Sequence, residues 1–138
     1  MNTESTNRQR LITAWIEERR AAKAAIQSND LATAWTHLER AHILSQPMAG
    51  RHVRTHTAML RLALRTRRPH EVVGQLFRTA VAAPGTWSGR YPQGNTGRAN
   101  VSAFAEMDVR ADLQGLLETV SEKLTGNRST RARLTPKP

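Results

Sequence analysis

The sequence predicts an all-α domain: two helical hairpins, a glycine-rich loop and a closing C-terminal helix. Three observations predict it. Apolar residues recur at three- and four-residue spacing through most of the first 84 positions. Asp30, Pro47 and Pro69 punctuate that pattern at intervals suited to helices of about 12–20 residues. Glycine and proline then crowd into residues 84–97, which hold four of the eight glycines and two of the six prolines.

The first helix is expected over residues 7–27, with Leu11, Ile12, Trp15, Ile16, Ala22 and Ile26 on one face. Ser28, Asn29 and Asp30 stop it, and Asp30 is suited to cap the second helix, residues 31–45. Leu31, Ala34, Trp35, Leu38, Ala41, His42 and Ser45 form its inward stripe. Pro47 ends it, and a third helix covers 50–66 with Val53, His56, Leu60, Ala63 and Leu64 inward. Pro69 fits a first helical turn and opens a fourth helix to Pro84, with Val72, Val73, Leu76, Phe77 and Ala80 inward. The small residues of AAKAAIQSNDLATAWTHLERA are those that tetratricopeptide (TPR-like) hairpins place at their packing positions.

No regular element is expected over 84–107, where Trp87, Tyr91, Val101 and Phe104 are expected to pin an ordered flap. A closing helix runs from Asp108 through Val109, Leu113, Leu116, Leu117, Val120 and Leu124 to Gly126. Residues 1–126 thus read as one helical domain, and 127–138 as a disordered basic tail.

Composition narrows the function classes. The chain has 138 residues and no cysteine, which excludes disulfides, iron–sulfur clusters and thiolate zinc sites. No apolar run is long enough for a membrane span, and residues 1–20 lack the pattern of a secretory leader, so a cytoplasmic location is expected. A net charge of +10 admits acidic protein or nucleic-acid partners. No P-loop, GxGxxG, nucleophile elbow or paired carboxylate stands out.

The sharpest feature is a set of histidines. His52 and His56 lie four apart on one helical face. His42 lies on the inward stripe of the preceding helix, and the short turn at 46–50 folds it back toward them. Three imidazoles can ligate zinc, iron, copper or nickel and leave a coordination position open for a small-molecule ligand. Glu39, one turn before His42, completes the Glu-x-x-His spacing of helical carboxylate metal sites and is a candidate fourth ligand or supporting base. The competing reading has His42 as a hydrogen-bonded core histidine and the other two on a solvated face. His37 and His70 are expected to point elsewhere.

Two further groups carry expectations. Arg54, Arg61, Arg65 and Arg68 form a stripe that either holds phosphates or is simply solvated. The turn Gly94-Asn95-Thr96-Gly97-Arg98 reads as an anion nest, a plain turn, or a lid whose Asn95, Thr96 and Arg98 meet a ligand at the histidine site.

The segments HLERAHILSQ (37–46), RHVRTHTAML (51–60), EVVGQLFR (71–78) and PQGNTGRANVSAF (92–104) together resemble a bacterial family known as domain of unknown function 3703, over roughly residues 10–117. The resemblance implies that His42, His52, His56 and the Asn95-Thr96-Gly97 loop belong to the family's pattern. It carries no established activity.

Overall fold

A computed structural model describes residues 3–89 and 91–118. It is all-helical, with no strand among the described residues. Helix α1 spans Thr3–Gln27, α2 Leu31–Ser45, α3 Ala49–Arg65 and α4 Pro69–Trp87. A shorter helix, α5, covers 111–118. The expected tail (127–138), with Val120 and Leu124, lies outside the described residues.

Local chemistry sets the boundaries. The Asp30 carboxylate accepts from the Thr33 amide at 3.1 Å and caps α2. Asn29 and Arg67 take left-handed backbone angles, φ 58° and 50°, and turn the chain between helices. Pro69 enters α4 at its first turn. Pro84 does not end α4, as the sequence had suggested. It lies inside the helix, which continues to Trp87, and that added turn delivers Thr86 to the site described below.

Helix α1 packs on α2, α3 on α4, and α2 on α3. The first core cluster joins Leu11, Ile12, Trp15, Ala41, Ile43, Leu44, Met48 and Leu113, with Val109, Leu116 and Leu117 against it. Residues 109–117 therefore close one end of the α1–α2 pair. The second cluster holds Ala22, Ala25, Ala34, Trp35, Leu38, Met59, Leu62 and Ala63. Near the first cluster the Trp15 indole donates to Thr55 Oγ1 at 3.0 Å, tying α1 to α3.

Helix α4 is turned largely away from the sequence expectation: of the residues expected inward, Val72 packs against the second cluster, while Ala80 is exposed. Val73, Leu76 and Phe77, expected inside, are 68%, 55% and 52% exposed. The buried positions are Glu71, Gln75, Arg78 and Ala82, a stripe of four-, three- and four-residue steps that faces the body. Their polar groups find partners in the segment after α4, so the polar face can be buried without orphaned donors. Leu64, also expected inside, is exposed at the end of α3.

The segment after α4 is held largely by polar bonds, with Tyr91 and Val101 half-buried among the expected apolar anchors. Trp87 and Phe104, expected to pin it, are 80% and 77% exposed. The Gln46 side chain instead donates to the Pro92 carbonyl at 2.5 Å and accepts from the Gly94 amide at 3.2 Å. The Asn95 amide donates to the carbonyls of Ser102 and Ala105 at 2.8 and 2.7 Å, while its Oδ1 accepts from the Gly97 amide at 2.9 Å. Gly94 has φ +70°, and a Cβ there would lie 2.1 Å from the Met107 carbonyl oxygen, so only glycine fits.

Among the described residues, no helix is long and apolar enough to cross a membrane.

Two leucines test these packing assignments. Leu38→Ala, in the second cluster, should destabilise the protein by about 2–5 kcal/mol. Leu64→Ala should change stability by about 0.5 kcal/mol or less. Urea unfolding midpoints of the two variants give the comparison.

Candidate metal centre

His42 comes from the buried stripe of α2, and His52 and His56 from successive turns of α3. All three are buried, and one ligand atom from each lies within 4.8 Å of the others. The contacts run through Nε2. His42 Nε2 is 2.9 Å from His52 Nε2 and 3.1 Å from His56 Nε2. Two metal–imidazole bonds of about 2.0–2.1 Å at a tetrahedral angle span about 3.3 Å. Both pairs that include His42 fit within that span, and the three together form a group close enough to hold one ion.

Each ring is oriented through its other nitrogen. His42 Nδ1 donates to the Asn95 carbonyl at 2.7 Å. His56 Nδ1 donates to Gln75 Oε1 at 2.8 Å. The Gln75 amide is fixed because its Nε2 donates to Glu71 Oε1 at 2.9 Å and to the Gly97 carbonyl at 2.7 Å. His52 Nδ1 lies 2.9 Å from Thr86 Oγ1, whose own proton is directed to the Gln46 carbonyl at 3.1 Å. Thr86 therefore accepts from His52. With every Nδ1 acting as donor, a neutral ring must carry its lone pair on Nε2. The lone pairs of His52 and His56 then each face that of His42 at about van der Waals distance, which is repulsive unless a cation sits among them.

Protonation does not supply that cation near neutral pH. Burial, with the neighbouring His56 and His52, holds His42 well below the ordinary histidine value. Burial and His56 bring His52 to about 3. Burial brings His56 to about 4, with the Gln75 bond opposing and Arg78 adding to the shift. A divalent metal relieves the repulsion without requiring these rings to bind protons.

The other sequence candidates take different places. Glu39 accepts from Arg98 Nη1 at 3.1 Å and is not in the three-histidine group. Burial raises its pKa, against the attraction of Arg98. Arg98 also donates through Nε to Glu71 at 3.2 Å, and its guanidinium lies 3.9 Å over the Trp35 ring. Glu71 further accepts from the Ala99 amide at 3.0 Å. Burial raises the Glu71 pKa, but the bonds from Gln75, Ala99 and Arg98 outweigh that and leave it lowered. A continuous chain of contacts thus runs from His56 through Gln75, Glu71 and Arg98 to Glu39.

Asn95 meets the site through its backbone carbonyl, while its amide side chain braces its own segment. Thr96 Oγ1 is buried without a hydrogen-bond partner among the described residues. Arg54, Arg61, Arg65 and Arg68 are exposed. His37 pairs with Glu18 at 2.7 Å, and His70 is exposed.

Gln75, Thr86 and Glu71 were missed from the sequence. Glu71, Gln75 and Arg78 carry a signal that a search for apolar stripes overlooks, since their four- and three-residue spacing is itself one helical face.

This is an all-helical domain built around a buried histidine trio whose rings are held by the segment after α4 as well as by α4 itself. The chain belongs to the family described as Protein of unknown function (DUF3703), which matches residues 9–117. No curated protein and no solved structure matches it.

Two outcomes follow from the geometry. Between pH 6.5, the ordinary histidine value, and about 3 to 4, where His52 and His56 titrate in the fold, the unfolded chain binds more protons than the folded one. Metal-free protein should therefore lose stability as pH falls through that window, by about 1.4 kcal/mol per pH unit for each proton of difference. Denaturant midpoints at pH 7, 6 and 5 measure it, and a flat profile refutes it. Separately, Gly97 has φ +79°, and a Cβ there would lie 2.8 Å from the His42 ring. Gly97→Ala should therefore displace that ring and weaken metal uptake more than it lowers the melting temperature, as read by parallel metal titration and thermal unfolding.

Proposed function

We propose that this protein binds one divalent transition metal through Nε2 of His42, His52 and His56. The observation that carries this reading is the convergence of three unprotonated nitrogens whose partner nitrogens are all engaged as donors. Metal-bound histidines characteristically donate their second N–H to an oxygen acceptor. Here Asn95, Thr86 and Gln75 supply three such acceptors.

An all-nitrogen set of this kind suits zinc, iron, copper or nickel better than magnesium or calcium, which take oxygen ligands. Three protein ligands leave a fourth position for a small molecule, as in catalytic zinc sites. That vacancy favours a role in small-molecule chemistry or metal transfer over a purely structural one. Two stacked TPR-like hairpins serve, in this reading, as a rigid frame for the site. Glu39 acts at a distance, by holding Arg98 and through it the Glu71–Gln75 pair.

A second reading rests on Arg54, Arg61, Arg65 and Arg68, which are exposed and make no ion pair among the described residues. Such a face can dock an acidic protein or nucleic acid, with affinity that falls steeply with salt.

Protein made without a histidine tag should contain close to one equivalent of transition metal by elemental analysis. His56→Ala and His42→Ala should each lose it while keeping their helical circular dichroism. Gln75→Leu should bind with affinity lower by about 10- to 100-fold. Equal metal content in the wild type and both histidine variants defeats the proposal.

A further inference from the structure

A cavity of about 440 Å³ opens on the histidine trio, a volume typical of small-molecule sites. Val81, Pro84, Pro92 and Phe104 give it apolar walls. One side chain in the lining does not belong in an apolar pocket: Arg78, which is only 6% exposed. Its guanidinium donates to the Val101 carbonyl and meets no carboxylate within ion-pair distance among the described residues. Glu71 attracts it from further away but is engaged by Arg98, Gln75 and Ala99. Arg78 lines the same cavity as His42, His52 and His56.

No aspartate or glutamate is among the cavity's described lining residues. A divalent ion on three neutral imidazoles, next to a buried guanidinium, would therefore concentrate three positive charges in a poorly solvated space. Such an arrangement is costly unless an anion enters with the metal. Guanidinium binds carboxylates through paired N–H donors, and the apolar walls select a ligand with a compact hydrocarbon body.

We infer that the cavity takes a small organic carboxylate, its anionic end shared between the metal's open position and Arg78, its apolar end against Val81, Pro84 and Phe104. This rests on the metal-binding reading above and adds the class of its ligand.

Cobalt(II)-loaded full-length protein tests it, with benzoate as the probe and the neutral isostere benzamide as the control. Benzoate should change the visible cobalt spectrum saturably and bind at least about tenfold more tightly than benzamide, the ratio expected of a charge-assisted contact. Arg78→Met should keep one cobalt per chain but lose at least about tenfold in benzoate affinity, with Arg78→Lys recovering part of it. Loaded wild type that binds benzoate no better than benzamide overturns this inference and leaves metal binding standing; that comparison needs no variant. Folded, loaded Arg78→Met with wild-type benzoate affinity overturns it too. Protein that takes up no cobalt overturns the metal reading, and this inference with it.

Discussion

His52 and His56 can bring Nε2 to 2.9 and 3.1 Å from Nε2 of His42 only if something fixes the direction of each ring. In this protein that is done from outside the pair of helices that carry them. The acceptors are a backbone carbonyl at Asn95, a hydroxyl at Thr86 near the end of α4 and an amide oxygen at Gln75 in its middle. Each bond dictates which nitrogen keeps its lone pair. Removing an acceptor would allow a ring to flip or to change tautomer, and the convergence would be lost. The orientation of α4, its passage through Pro84 and the path of the segment after it are all consistent with this one requirement.

The orientation of α4 is the more unusual outcome. Burying a polar stripe while leaving Val73, Leu76 and Phe77 exposed runs against the hydrophobic effect, at about 25 cal/mol for each Å² of apolar surface left in water. The offset lies in the completeness of the network. Gln75 uses its oxygen once and its amide nitrogen twice, and Glu71 accepts from side chains and backbone. A buried amide or carboxylate in that state avoids the penalty of an unsatisfied group, and a closed network specifies a single arrangement more sharply than apolar packing does.

Much of the helical frame was legible in the sequence. The buried stripe of α2 contains Ala34, Trp35, Leu38, Ala41, His42 and Ser45 as periodicity indicates, and Asp30 caps it. His52 and His56 could be placed beside His42 because four-residue spacing and a short turn leave little geometric freedom. Legibility failed where apolar periodicity was read as burial. In α4 the Val73–Leu76–Phe77–Val81 face is as regular as a core stripe, so nothing local distinguishes it from one; only the tertiary partners of Glu71, Gln75 and Arg78 decide. The crowding of glycine and proline from Pro84 onward reads as the end of α4, yet the turn beyond it forms and carries Thr86. Glu39 has the spacing of a ligand but a nearer cationic partner in Arg98, which no one-dimensional pattern reveals.

The bond from His42 to Asn95 joins positions 53 residues apart, and this bears on how the protein is made. During synthesis His42, His52 and His56 all leave the ribosome well before the segment that orients the first of them. A nascent chain that ends between residues 60 and 90 carries all three imidazoles but lacks the carbonyl that sets the His42 tautomer. Since chains fold from the N-terminus as they emerge, the orientation that Asn95 imposes on His42 comes late, after the α1–α2 pair can form.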